Sequence, residues 1–212
     1  MFSAGELGRI SGVLQANGRC ACLRTLATCP VWSEAPAVST KGHMSTRMAL
    51  DFIIRTQHPA WIVDASKTAY LSFWRPLYYK VLGHQVVIIH LVRDLKSVVE
   101  STLNGTNKQL EAGKRGERLL GRQRTLLGWM FANMFAAAYR ATFSKSVLMH
   151  YEDLVSNPAR ELRRMEALTS LDYALVAALI TSGSPLPEGH EIAGNRALRA
   201  GDMVFRLSDR PA

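Results

Sequence analysis

Arg93 and Ser101 stand eight residues apart in IIHLVRDLKSVVES, with an apolar β-branched run before the arginine and a helical pattern after it. A guanidinium presents a planar fork of donors to a phosphate, and a hydroxyl further along the helix can donate to the same anion. Asp94 has the side chain of an N-cap, which starts the helix directly after the arginine. A phosphate placed there would meet Arg93 and the first-turn amides together. Ser97 and Ser101, four apart, share a helical face. The other reading of these residues pairs Arg93 with an acidic neighbour and leaves Ser101 an exposed hydroxyl. Polar groups also close two other apolar stretches: Asp64, Ser66 and Lys67 follow WIV, and Tyr151, Glu152 and Asp153 follow SVLMH. In an open α/β sheet, ligands bind at such carboxyl ends of strands.

The elements that must position these groups follow from periodicity and punctuation. WIVDAS (61–66), QVVIIHLV (85–92) and SVLMHY (146–151) read as strands, the second as a continuous run of the kind buried on both faces of a parallel sheet. A helix containing MALDFIIRTQ precedes the first strand. A long helical stretch from about Leu95 to Thr142, broken around NGTNK and at Gly113 and Gly116, separates the second strand from the third. Asn157 and Pro158 suit the N-cap and first position of a further helix, ARELRRMEALTSL. Strands alternating with helices predict right-handed crossovers and one parallel sheet in a single domain spanning 1–212. The segment from Gly189 onward has little periodicity and reads as a surface-hugging loop.

Composition narrows the partners. A formal charge of +9 favours an anionic ligand. The basic residues are dispersed over helices without a recognition motif, which speaks against nucleic acid and suits a phosphorylated small molecule. No apolar run is long enough to cross a bilayer, and no signal peptide is visible, so the cytoplasm is the expected compartment. Cys20, Cys22 and Cys29 supply only three metal ligands, and a histidine such as His43 would be needed to complete a site. The reading preferred here is a cysteine-containing loop packed on Trp32 without a metal.

VRDLKSVVES resembles the 3′-phosphate-binding segment of the sulfotransferases that use 3′-phosphoadenosine-5′-phosphosulfate (PAPS), in which arginine and serine stand in this spacing. Other segments are similar in order: FSAGEL to a Gly-Glu stretch of the bacterial and carbohydrate-type enzymes, CACLRTLATCPVW to a cysteine-containing CP-x-W loop, and IVDASK to an Asp-x-Ser-Lys strand end. HYEDLVSNPARELRRM and HEIAGNRAL likewise resemble the Tyr-Glu-Asp-Leu segment and the late Gly-Asn loop. The resemblance implies a P-loop-NTPase-like α/β fold, its parallel sheet flanked by helices, that moves a sulfuryl group from PAPS to an acceptor hydroxyl or amine. It implies that Arg93 and Ser101 hold the 3′-phosphate, that Tyr151 lies near the adenine, and that Gly194, Asn195 and Arg196 help close the site. Glu6 is the candidate general base, its other reading being a solvated charge near the chain start. Lys67 is the candidate contact for the transferring sulfuryl or the acceptor, its other reading being an exposed lysine. Asp64 reads as a loop-fixing residue. No metal is required, because arginine, lysine and backbone amides can neutralise the leaving group.

One family element has no counterpart. The strand and glycine-rich loop that wrap the 5′-phosphosulfate would precede the Gly-Glu stretch, and GTNKQLEAGKR has the wrong spacing to replace them. The expectation is therefore a sulfotransferase domain without its first strand, through a start codon placed too late, a fragment or a decayed product. A non-catalytic module that binds a nucleotide or sulfated ligand is the alternative.

Overall fold

The computed structural model describes residues 1–16, 18–35, 44–66, 72–103, 121–187, 189–192 and 205. The chain forms two compact units, the first Met1–Lys67 with Leu186–Met203, the second Thr68–Pro185 with Val204–Ala212. The described residues hold eight α-helices and four short strands, all paired in parallel. The α/β class is as expected. The single sheet is not: β1 (Phe2–Gly5) pairs with β2 (Ile62–Asp64), and β3 (Ile88–Val92) with β4 (Ser146–His150), as separate two-stranded sheets. Alternation of strands and helices specifies parallel pairing, but not how many strands share one sheet.

In the first unit, β1 is followed by a 3₁₀ turn at Leu7–Arg9 and by α1 (Ile10–Gln15). Phe-Ser-Ala-Gly contains no β-branched residue and is too short to show a period of two, so sequence alone did not mark it as a strand. Partners on both sides make it one. β2 pairs along it, and Ile192 N–H donates to the Ala4 carbonyl at 3.1 Å while Glu6 N–H donates to the Ile192 carbonyl at 2.8 Å. The late segment is thus stitched to β1 and is no loose surface loop up to Ile192. α2 (Thr46–Gln57) begins at Ser45, whose hydroxyl accepts from Met48 N–H at 3.2 Å, and buries Ala49, Leu50, Phe52 and Ile53. Its apolar face meets fully buried Trp32, whose ring stacks on Phe52 at 5.8 Å and meets Phe2 edge-on at 6.1 Å.

The second unit comprises α3 (Arg75–Val81), β3, α4 (Leu95–Leu103), α5 (Gly121–Thr142), β4, α6 (Tyr151–Ser156), α7 (Pro158–Thr169) and α8 (Ala174–Thr181). Asn157 caps α7 as expected, accepting from Arg160 N–H at 3.1 Å with Pro158 at the first position. Glu161 is buried and accepts from Arg160 and Arg164, and Arg164 also donates to the Leu148 carbonyl at 2.8 Å. That clasp fastens α7 to β4. β3 departs from the expectation of burial on both faces: His90 is buried, whereas its neighbours Ile89 and Leu91 are exposed. Period-two alternation puts those two on the face opposite His90, and it is the His90 face that α5 covers through Asn133.

Candidate functional site

The register of the second sheet builds the first candidate site. Val92 pairs with His150 at the end of the ladder, so the two strands finish level and the residues that follow them emerge side by side. Arg93 accordingly lies over the ring of Tyr151, with its guanidinium carbon 5.1 Å from the ring centroid. Such a cation–π contact orients the guanidinium without consuming its donors. One residue further on, Asp94 N–H donates to Glu152 Oε1 at 3.0 Å. The backbone at Arg93 is held from a third side, since Trp129 Nε1 donates to the Arg93 carbonyl at 2.9 Å. Four residues along α5, Asn133 Nδ2 donates to the Trp129 carbonyl and Asn133 Oδ1 accepts from His90 Nε2, each at 2.8 Å.

Asp94 is the N-cap that the sequence indicated. Its carboxylate accepts from Lys96 N–H at 2.8 Å and from Ser97 N–H at 2.9 Å. This alters the expected clamp: the first-turn amides of Lys96 and Ser97 are already taken by Asp94, which leaves the guanidinium of Arg93 and the Ser101 hydroxyl as the side-chain donors of the pair. Ser101 lies in α4 and is exposed, as is Arg93. Arg93 makes no ion pair with a carboxylate among the described residues, so the reading of a structural ion pair finds no support there.

Hydrogen bonds from Ser97, side chain first and then backbone, hold the Asp94 carboxyl below its ordinary value of 3.8, with Lys96 N–H and the charge of Arg93 adding to the effect. A carboxyl depressed in the folded state contributes stability above its unfolded value and loses it as the pH falls through the folded one. Amide exchange in the first turn of α4 should therefore accelerate, beyond the intrinsic pH effect, once the pH drops below 3.8. Asp94→Asn, which keeps a capping oxygen, should flatten that dependence. An unchanged profile in the variant would refute the assignment.

A second cluster lies at the ends of β1 and β2 in the first unit. Asp64 Oδ1 accepts from Leu7 N–H at 3.2 Å, from Ser66 N–H at 2.9 Å and from the Ser66 hydroxyl, while Gly8 N–H donates to Ser66 Oγ at 3.1 Å. Asp64 is thus the loop-fixing residue the sequence indicated. Glu6, expected in its plainer reading to be a solvated charge, is buried at 4% exposure, and its Oε2 accepts from Arg9 Nη1 at 3.3 Å. The backbone pairing with Ile192 draws it inward. Lys67, Gly194, Asn195 and Arg196 lie outside the described residues, as does His43.

The cysteines depart most from expectation. Cys20, Cys22 and Cys29 are buried and unbridged, and they converge with His190, the first residue of HEIAGNRAL, in place of a histidine such as His43. Burial is the main reason the Cys20 thiol is pushed far above its ordinary value. No spacing rule points to His190, which is 161 positions from Cys29. Its only local signal is the polar GHE triplet in an otherwise aperiodic segment.

No family model, curated protein or solved structure matches this chain.

Proposed function

We propose that this chain is a sulfotransferase-type domain that binds the 3′-phosphoadenosine part of PAPS at the carboxyl ends of β3 and β4. The observation that carries the reading is the pairing of Arg93 with Tyr151, a guanidinium seated on an aromatic face at a sheet edge and lacking a carboxylate partner among the described residues. A nucleotide 3′-phosphate would take the guanidinium fork and the Ser101 hydroxyl, and the adenine would lie by the Tyr151 ring. The roles that the resemblance implies for Glu6 as general base, for Lys67 and for Gly194, Asn195 and Arg196 belong to the same reading.

One observation favours the non-catalytic variant of the same reading. A 5′-phosphosulfate cradle needs free backbone amides at a turn after a strand. After β3 those of Lys96 and Ser97 are taken by Asp94, and after β1 those of Leu7 and Gly8 are taken by Asp64 and Ser66. A domain that keeps the 3′-phosphate half-site without the cradle would bind adenosine 3′,5′-bisphosphate and transfer nothing.

Calorimetric titration with adenosine 3′,5′-bisphosphate tests the binding claim. Arg93→Ala removes two charge-assisted hydrogen bonds and should cost about 2–4 kcal/mol, roughly 30- to 1,000-fold in Kd. Equal affinity in the variant, or no binding by the unmodified chain, would sink the assignment. Transfer of label from PAPS to any acceptor then separates the enzyme from the binding module.

A further inference from the structure

The first unit carries a site that the nucleotide reading does not use. Cys22 Sγ lies 3.7 Å from Cys29 Sγ, and His190 Nδ1 lies 3.4 Å from Cys29 Sγ and 3.9 Å from Cys20 Sγ. All four ligand atoms fall within 4.8 Å of one another. A tetrahedral zinc with Zn–S near 2.3 Å and Zn–N near 2.0 Å sets S···S edges of about 3.8 Å and S···N edges of about 3.5 Å. These three separations scatter around those edges and are far from the roughly 2.05 Å of a disulfide. From this convergence we infer that Cys20, Cys22, Cys29 and His190 bind one zinc(II) ion as a closed Cys₃His site with a structural role.

The backbone prepares the arrangement. Cys20 and Cys22 sit on a tight turn in which Leu23 N–H donates to the Cys20 carbonyl at 3.0 Å and Leu23 takes a left-handed φ of 64°. The turn points both sulfurs to one side, as a zinc knuckle requires. Cys29 arrives from the 3₁₀ turn Leu26–Thr28, which is tied back by Leu26 N–H donating to the Gly18 carbonyl at 3.0 Å. His190 is brought in by its own segment: Trp32 Nε1 donates to the His190 carbonyl at 2.6 Å, and Ala21 N–H donates to the Glu191 carbonyl at 3.1 Å. That indole bond fixes the backbone of the fourth ligand and acts as an outer support for the site.

Four protein ligands leave no open position, so the ion would cross-link two stretches of chain and activate no water. Three soft thiolates and one imidazole select zinc over magnesium, calcium or manganese. The cysteines are buried, with exposures of 0% for Cys20, 4% for Cys22 and 0% for Cys29, so the ion would be shielded from exchange with solvent.

The test uses the full chain, purified without chelator under reducing conditions. Elemental analysis should find one zinc per chain, and cobalt(II) exchange should give the intense visible bands of tetrahedral cobalt with a thiolate charge-transfer band in the near ultraviolet. Cys29→Ser should abolish stoichiometric retention. His190→Ala, which keeps every thiol, should weaken zinc at least tenfold in competition with a chromophoric chelator. Should either variant fail to fold, the cobalt spectrum of the unmodified chain decides alone. Metal at less than about a tenth of an equivalent after zinc is offered, an octahedral cobalt spectrum, or zinc affinity unchanged by His190→Ala would overturn the inference.

Discussion

Trp32→Ala should destabilise the first unit by about 3–5 kcal/mol, the range for removing a large aromatic from a core. The side chain is fully buried, lies between Phe2 and Phe52, and donates its indole N–H to the His190 carbonyl. The loss has two sources, a cavity that the two flanking rings cannot collapse into and a backbone carbonyl left without its donor. Trp32→Phe separates them. It keeps most of the packing and removes the hydrogen bond, and should cost about 1–3 kcal/mol. Leu175→Ala serves as the control, because Leu175 is 70% exposed and a surface change of this kind falls within about 0.5 kcal/mol. Urea denaturation followed by circular dichroism reads all three. A Trp32→Ala midpoint matching that of the control would refute the proposed core.

Gly5→Ala is the second large effect. Gly5 has a φ of +70°, and a Cβ there would land on the Ile192 carbonyl oxygen and 2.8 Å from the Ile192 nitrogen. Left-handed backbone costs an L-residue about 1–2 kcal/mol, and forced overlap in a packed region adds about 1–3 kcal/mol. The atoms in the way are the Ile192 backbone and the Glu191 Cβ, so little can swing aside. The expected total is about 2–5 kcal/mol. Gly83→Ala separates the two parts, because Gly83 shares the positive φ, at +86°, but a methyl group there would meet nothing within 4 Å. It should show the conformational cost alone. Equal losses at the two positions would mean that the approach of Ile192 to Gly5 is not maintained in solution.

What could be read from the sequence divides along the range of the interactions. Asn157–Pro158 and Asp94 were legible as helix starts because capping is settled within three residues of the cap. The apolar run before Arg93 was legible as a strand for a similarly local reason. The level finish of β3 and β4, which seats Arg93 on Tyr151, was not, because register is fixed by pairing between distant segments. β1 was missed because its strand character comes from β2 and Ile192 and not from its own residue types. The burial of Glu6 and the approach of His190 to the cysteines have the same origin, since both depend on a segment that returns from far along the chain. Local chemistry thus identified the polar strand ends, while the fourth member of the sulfur cluster could only emerge from the fold.

The return of Ile192 to β1 also bears on the order of events during synthesis. The residues from Thr68 to Pro185 are made between the two parts of the first unit. At roughly 5–20 residues per second, that interval lasts on the order of ten seconds on the ribosome. Throughout it, β1 lacks the partner that caps its far side, Gly5 holds its turn without Ile192, and the three cysteines have emerged without His190. β3, β4 and the helices around them can settle as they emerge. The stretch from Met1 to Lys67 therefore waits for the whole of Thr68–Pro185 to be made before its own unit can close.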